Sequence, residues 1–199
     1  MPRIGISSFF RFTVGVLLAQ ALSVQSLWAQ AQEQAVLNGI QYLRTVSGKQ
    51  NQVGESAMIA LALLKADAGY TDPVVATCID RIRKRFTASE YAPQRIGGHD
   101  VYEAAVVAMA LSNLDREEHR GEINLIATYL IGKQKPNGSW DYNQRTHGDT
   151  SISQYALLGL WECENAGYEV PPSVWDRAAG WFLSVQAGSG SWNYHRDQL

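Results

Sequence analysis

The chain contains 199 residues, of which 46% are hydrophobic and 18% charged, and its 17 Lys and Arg against 19 Asp and Glu give a formal net charge of −2. This length predicts one globular domain. The longest basic cluster, Arg81-Ile-Arg83-Lys84-Arg85, is typical of the solvated face of one helix, and the composition excludes the basic surface that nucleic-acid binding requires. We therefore expect no nucleic-acid partner.

The first residues have the pattern of a secretory signal. Arg3 and Arg11 precede an apolar run over residues 12–22. Ala29-Gln30-Ala31 then has the small-x-small pattern of a signal-peptidase site. The run is shorter than the roughly 20 apolar residues that cross a bilayer, so a membrane anchor is the weaker alternative. We expect residues 1–31 to be removed, leaving an exported protein of 168 residues, periplasmic or extracellular, without a stable transmembrane anchor.

Apolar residues recur at helical spacing through nearly all of residues 32–199, and no segment alternates as a half-buried strand does, which predicts an all-α protein. Four segments carry their apolar residues on one stripe and are expected on the outside. These stripes are Val36, Ile40 and Leu43; Val74, Cys78, Ile79, Ile82 and Phe86; Ile123, Ala127 and Leu130; and Val174, Ala178, Trp181, Phe182 and Val185.

Between the stripes lie three segments that are apolar nearly all round, residues 57–64, 104–111 and 155–161. A helix that is apolar on all sides is expected to be buried on all sides. The alternation of the two helix types predicts a ring or solenoid of helical hairpins in two layers, in which outer helices cover inner ones. Residues 34–69, 74–113, 118–167 and 174–199 would then form about three and a half repeats.

Glycine and proline mark the predicted helix boundaries. Gly69 and Gly167 follow two of the apolar segments, at the position where a left-handed residue caps a helix with the least steric cost. Pro73 and Pro172 stand where the first turn of the next helix is expected. The hairpin pattern is therefore repeated along the chain.

The two cysteines, Cys78 and Cys163, are 85 residues apart, and each lies within an apolar helical pattern. In an exported protein this permits one disulfide, and two buried thiols are at least as compatible with the pattern. No Cys-x2-Cys or His-x3-His pair is present in the sequence, so no structural zinc site is predicted and no cofactor is expected.

One nine-residue pattern occurs twice near the end of the chain. Residues 134–142, QKPNGSWDY, and residues 186–194, QAGSGSWNY, stand 52 positions apart, a period typical of a repeat architecture. We expect the glutamine to bond orphan backbone groups at helix ends, the glycine to adopt positive φ and the indole to cover the corner. This is a structural role, with ligand stacking as the alternative. The residues concerned are Gln134, Gly138, Trp140, Gln186, Gly190 and Trp192.

These Gln-x3-Gly-x-Trp corners resemble the QW repeat motif of squalene and hopene cyclases and their relatives in the terpenoid cyclase and protein prenyltransferase superfamily, which includes the prenyltransferase and squalene oxidase repeat proteins. The resemblance covers nearly all of residues 32–199 by helix pattern and residues 118–199 by motif. It implies an α/α toroid. Cyclases of this superfamily use two helical domains and are several times longer, so we expect an open ring or a fragment, completed by a further C-terminal portion or a partner chain.

Polar residues stand out in the loops before the three apolar segments, and in such toroids these loops open onto a central cavity. Gly54-Glu55-Ser56 forms one such loop. The candidate catalytic residues in the others are His99, Asp100, His147 and Asp149. Helix capping is the structural alternative, because Asp, Ser and Thr are favoured at helix N-termini. The resemblance aligns Asp149 with the last aspartate of the cyclase Asp-x-Asp-Asp-Thr motif, but Thr146 and Gly148 replace the other two, which leaves a poor acid for protonating an alkene.

Convergence of these four residues with the corner tyrosines Tyr142 and Tyr194 in one cavity would suit polysaccharide β-elimination, with histidine and tyrosine as base and acid. No acidic pair indicates glycoside hydrolysis by its spacing. We expect a binding or scaffold module for an apolar or carbohydrate ligand or a partner protein, and the sequence demonstrates no catalysis. The alternatives are a terpenoid-cyclase-type isomerase with a degenerate acid motif and a polysaccharide lyase or hydrolase.

Overall fold

The computed structural model describes residues 30–49, 52–94 and 96–194. It divides into two compact units, Met1–Thr45 and Val46–Leu199. Residues 30–46 form helix α1, and residues 30–45 of this helix are the described part of the first unit. All but the last two residues of the predicted signal segment lie outside the described residues, so export stays a prediction.

The second unit is built from helices within the range that the structure describes. Its α-helices are α2 (Val53–Lys65), α3 (Pro73–Arg83), α4 (Asp100–Asp115), α5 (Arg120–Gly132), α6 (Thr150–Asn165) and α7 (Pro172–Val185). Two short 3-10 segments accompany them, Ser47–Lys49 and Ile96–Gly98. Among the described residues, β pairing is confined to one isolated antiparallel bridge between Phe86 and Tyr91. The all-α prediction is confirmed.

Helix α4 lies at the centre of this unit and packs against both α2 and α6, which are the other two segments predicted to be apolar all round. The backbones of α4 and α6 approach closely at Gly159. A methyl group added there would lie only 2.8 Å from the Cα of Ala105. Such close packing of small residues excludes voids and water from the helix interface.

The prediction of complete burial holds for α4 and is wrong for its two neighbours. Nearly every apolar residue of α4 is buried. In α2, Met58 is 54% exposed, and in α6, Leu158 and Trp161 are 39% and 54% exposed. The reason is position: α4 has a large helix contact on each flank, whereas α2 and α6 pack closely on one central helix each in the described structure.

Helices α3, α5 and α7, which the sequence predicted to lie on the outside, each bury one apolar stripe. Buried residues of these stripes include Ile79 in α3, Leu130 in α5 and Ala178 in α7. Burial of one large aliphatic side chain contributes roughly 1.5–3 kcal/mol. Two members of the α3 stripe were placed wrongly: Val75 is buried instead of Val74, and Phe86 lies beyond the end of the helix at Arg83.

The glycine and proline signals at the helix boundaries hold with one exception. Asp72 caps α3 by accepting from the Val74 N–H at 2.9 Å, directly before Pro73. Gly167 has φ of 94° and ends α6, as expected. After α2, however, the residue with positive φ is Asp67 at 61°, not Gly69. Aspartate is one of the few residues besides glycine that enter this region as single residues.

The structure decides between the two alternatives for the cysteines. Cys78 and Cys163 are both unpaired and both fully buried. Burial raises the pKa of the Cys163 thiol to about 12 and also raises the pKa of Cys78. Both thiols are therefore protonated at neutral pH and act as small apolar core groups.

Candidate functional site

The first corner closes through the residues that the repeated pattern singled out. The Gln134 Nε2 donates to the Gly138 carbonyl at 3.0 Å, and Gly138 has φ of 94°. Trp140 is fully buried, and its Nε1 donates to the Leu130 carbonyl at 2.7 Å. Gly138 also packs so tightly that an added methyl group would lie 2.1 Å from the Arg177 carbonyl oxygen. The corner therefore requires glycine for space as well as for conformation.

The second corner repeats the same hydrogen bonds. The Gln186 Nε2 donates to the Gly190 carbonyl at 3.0 Å, and the Trp192 Nε1 donates to the Phe182 carbonyl at 2.8 Å. In both corners the indole reaches a carbonyl ten residues earlier, near the end of the preceding outer helix. The environments differ, because Trp192 is 46% exposed whereas Trp140 is covered.

The first corner is also tied to the next outer helix. The Gln134 Nε2 makes a second bond to the Val174 carbonyl at 2.9 Å, and Arg177 donates to the Gln134 Oε1. The expectation that the glutamine satisfies orphan helix-end groups is wrong in this detail. Val174 lies in the first turn of α7, where carbonyls are already used within the helix, and the indole of Trp140 takes the end carbonyl of α5 instead.

The first corner fixes the start of α6 and gives Asp149 a structural position. The Asp149 N–H donates to the Trp140 carbonyl at 2.9 Å, and the Asp149 Oδ1 accepts from the Ile152 N–H at 2.9 Å. The Ser153 hydroxyl bonds both the N–H and the carbonyl of Trp140. Asp149 is buried and is the N-cap of α6. Capping, the structural alternative for Asp149, is therefore what the geometry shows.

Asp100 is held by α5 and does not cap α4. It is the first residue of α4, and its buried Oδ2 accepts from the Tyr129 hydroxyl at 2.6 Å and pairs with the Lys133 Nζ at 3.0 Å. The capping prediction is wrong here, because the carboxylate is turned toward these partners. Burial acts to raise the pKa of Asp100, but the bonds from Tyr129 and Lys133 outweigh it and lower the pKa.

His147 lies apart from the other candidates. Its side chain is exposed, and its backbone carbonyl accepts from the Trp181 Nε1 and the Asn137 Nδ2, each at 3.1 Å. It borders a shallow cavity of about 400 Å³ beside α7. The imidazole of His147 therefore does not share a cavity with His99.

A cavity rich in aromatic side chains opens where α2, α4 and α6 begin, with a volume of about 670 Å³. Its aromatic lining is His99, Tyr102, Tyr142, Tyr155 and Tyr194. The main polar groups beside them are Gln52, Glu55, Glu103 and Ser151. Of the residues predicted to converge, His99, Tyr142 and Tyr194 line this cavity, whereas Asp100, His147 and Asp149 do not.

The rings in the cavity stand at steep angles to one another. Tyr102 packs edge to face with Tyr155, with centroids 5.0 Å apart and planes at 71°, and with His99 at 5.9 Å and 80°. The Tyr102 hydroxyl donates to the Ser151 Oγ at 2.9 Å. Burial raises the pKa of Tyr102, so its hydroxyl stays protonated at neutral pH. Because its single O–H donates to Ser151, Tyr102 is suited to ring contact with a ligand and to accepting a hydrogen bond at its oxygen.

Sequence reasoning missed Tyr102, Tyr155 and Glu103. Glu103 is buried, and its Oε1 accepts from the Tyr91 hydroxyl at 2.8 Å and from the Gln94 N–H at 3.2 Å. Burial raises the pKa of Glu103 against the opposing effect of these bonds. A single acid directly before an apolar segment was the available signal for Glu103. The two tyrosines carried a weaker signal, since Tyr155 opens one apolar segment and Tyr102 lies just before another, as ordinary core residues do.

No family model, curated protein or solved structure matches this chain. Within residues 30–49, 52–94 and 96–194, no three His, Cys, Asp or Glu side chains are grouped closely enough to hold a metal ion. In the same ranges, no helix combines the length and the apolarity needed to cross a membrane. Function is therefore inferred from the geometry of the second unit.

Proposed function

We propose that this chain is an exported α/α-toroid repeat protein, similar to the squalene-cyclase-like group, that acts as a binding module. The observation that carries the proposal is the 670 Å³ cavity lined by four tyrosines and His99 where three central helices begin. Concave sites with aromatic walls and a few polar groups are the usual form of small-molecule sites. The alternation of central and outer helices and the two matching corners support the toroid arrangement.

The state of the acidic residues favours binding over cyclase chemistry. Protonation of an alkene needs a carboxylic acid that is kept protonated and aimed into the cavity. Asp149 is engaged as a helix cap, and the lowered pKa of Asp100 keeps it ionised. Glu103 has a raised pKa, but its carboxyl group is held by Tyr91 and Gln94 as an anchor for the preceding loop.

Ligand retention tests the binding proposal. Protein purified from an expression host would be denatured, and the released small molecules would be identified by mass spectrometry. We expect the Tyr142→Ala variant to lose them and the Tyr168→Ala variant, which alters a half-buried tyrosine outside the cavity, to keep them. Retention by both variants, or no released molecule from the unmodified protein, would count against the proposal.

Polysaccharide β-elimination is a second candidate, favoured by one specific observation. His99 lies beside two tyrosines in the cavity, with ring centroids 5.9 Å from Tyr102 and 6.2 Å from Tyr142. A base and an acid of these types are what the reaction needs. Incubation with uronic-acid polysaccharides should then give unsaturated products that absorb in the ultraviolet, and His99→Ala should abolish them. Absence of such products from the unmodified protein would exclude this candidate for the polysaccharides tested.

A further inference from the structure

The tyrosine-lined cavity is open to solvent, and the rings that line it face in different directions. Tyr102 and Tyr155 meet at 71°, and His99 and Tyr102 at 80°, so the rings do not form one flat platform. Flat ligands stack on a single ring face, whereas rings at steep angles surround a compact group. Cations within about 6 Å of an aromatic ring face are attracted by its quadrupole, and sets of such rings form cages for quaternary ammonium groups.

These rings remain accessible, which separates them from ordinary core aromatics. Tyr102, Tyr142 and Tyr155 are half-buried, and Tyr194 is exposed. Tyr194 is held at the cavity because its carbonyl accepts from the Thr150 N–H at 3.0 Å, at the start of α6. The cavity wall is therefore assembled from several elements while its ring surfaces stay in contact with solvent.

Charge in the cavity favours a positively charged ligand. Glu55 lies in the first turn of α2 with an exposed side chain, and Glu103 lines the cavity one helix away. Each is an acid, and a carboxylate near a bound cation adds Coulomb attraction to the ring contacts. The Arg145 guanidinium lies 5.6 Å from the centroid of the Tyr142 ring, so a bound cation would depend on the other rings and on the two acids.

We infer that this cavity binds an organic cation of the substituted-ammonium class, with the tyrosine rings around the ammonium group and Glu55 as its counter-charge. The inference rests on the proposed binding function and narrows its ligand class. A quaternary ammonium group is weakly hydrated and donates no hydrogen bonds. Moving this group from water into a cavity walled by rings therefore costs less hydration free energy than moving a primary ammonium group.

A pair of probes with the same shape and different charge tests the inference. Choline and its neutral carbon isostere, dimethylbutanol, would be titrated into the full chain labelled on its tyrosine rings, with ring resonances followed by NMR. We expect choline to shift the cavity tyrosines and to bind about tenfold more tightly than the alcohol, which is the range of a partly desolvated cation–π contact. Equal affinity for the two probes, or no shift with choline, would overturn the inference.

Comparing Glu55→Gln with a matched variant outside the cavity tests whether the charge of Glu55 acts locally or only through the net charge of the protein. We expect Glu55→Gln to lose choline affinity several-fold and to bind dimethylbutanol as before. Glu164→Gln removes the same charge from an exposed position on α6 outside the cavity and should leave both affinities unchanged. An equal loss of choline affinity in the two variants would overturn the assignment of Glu55. Failure of choline to bind while purified protein still releases a different molecule would reject the ligand class and keep the binding function.

Discussion

Replacing each corner tryptophan by phenylalanine should produce very different losses of stability, although the two indoles make the same hydrogen bond. Trp140→Phe removes a fully buried donor from the Leu130 carbonyl, which then keeps only a 3.2 Å contact from the Lys133 N–H. Loss of one of the two hydrogen bonds to this buried carbonyl costs about 1 kcal/mol, and the cavity left by the smaller ring adds about 1–2 kcal/mol. We expect Trp140→Phe to lower the free energy of unfolding by about 2–3 kcal/mol.

Trp192→Phe is the matched control. Its indole also donates to a helix-end carbonyl, at 2.8 Å, but Trp192 is 46% exposed, so water can replace the lost donor. The expected loss is about 0.5–1 kcal/mol. In a domain of this size each kcal/mol corresponds to about 2–4 °C in Tm, so the two variants should be clearly separated.

The assay is urea unfolding followed by far-ultraviolet circular dichroism, because tryptophan fluorescence would change with the substitution itself. The slope of the transition should be the same in all three proteins, which indicates that the unfolded states are comparable. Equal losses in the two variants, or a loss below about 1 kcal/mol for Trp140→Phe, would refute the argument that burial sets the value of the corner bond.

Three further predictions concern glycine packing, helix capping and pH. Gly159→Ala should destabilise the protein by about 1–3 kcal/mol, because the added methyl group overpacks against Ala105. Gly180→Ala, on α7 with open space around it, should stabilise the protein by about 0.5–1 kcal/mol. Changes of Tm with the same sign for both variants would contradict this. Asp149→Asn should change stability by less than about 0.5 kcal/mol in urea unfolding, because Asn caps helices as well as Asp, and a larger loss would show that the charge itself matters. The lowered pKa of Asp100 contributes stability that is present above its ordinary pKa of 3.8 and lost as the pH falls through its folded value, so the difference in unfolding free energy between the unmodified protein and Asp100→Asn should shrink in acid; a constant difference would contradict the ion-pair assignment.

The helix plan could be predicted from the sequence because each segment carries its own signal. Apolar spacing located the helices, and the repeated corners specified glycine conformation and indole burial at Gly138 and Trp140. Exposure of Met58 and Trp161 could not be predicted in this way. Periodicity reports how apolar a face is, and it does not report whether another helix is present to cover that face.

Part of the candidate site escaped prediction for a geometric reason. His99 and Tyr142 stand in loops, where polar or aromatic residues attract notice. Tyr102 and Tyr155 lie within α4 and α6. Tyr155 belongs to the segment 155–161 that was predicted to be buried on all sides, and Tyr102 lies just before the segment 104–111. Because helical side chains lean toward the N-terminus, residues in the first turns of these helices reach back to the loop edge and join the cavity. Glu103 belongs to the same group.

The hydrogen bond from Gln134 to α7 is directed at the main-chain carbonyl of Val174, not at a side chain. Every residue type has this main-chain carbonyl, so the acceptor of the bond does not depend on which side chain stands at position 174. This bond would persist after a substitution at Val174, although Val174 is itself buried and contributes to the packing of α7. The link between the corner and α7 thus combines one bond that any residue type can supply and one, from Arg177, that depends on the side chain.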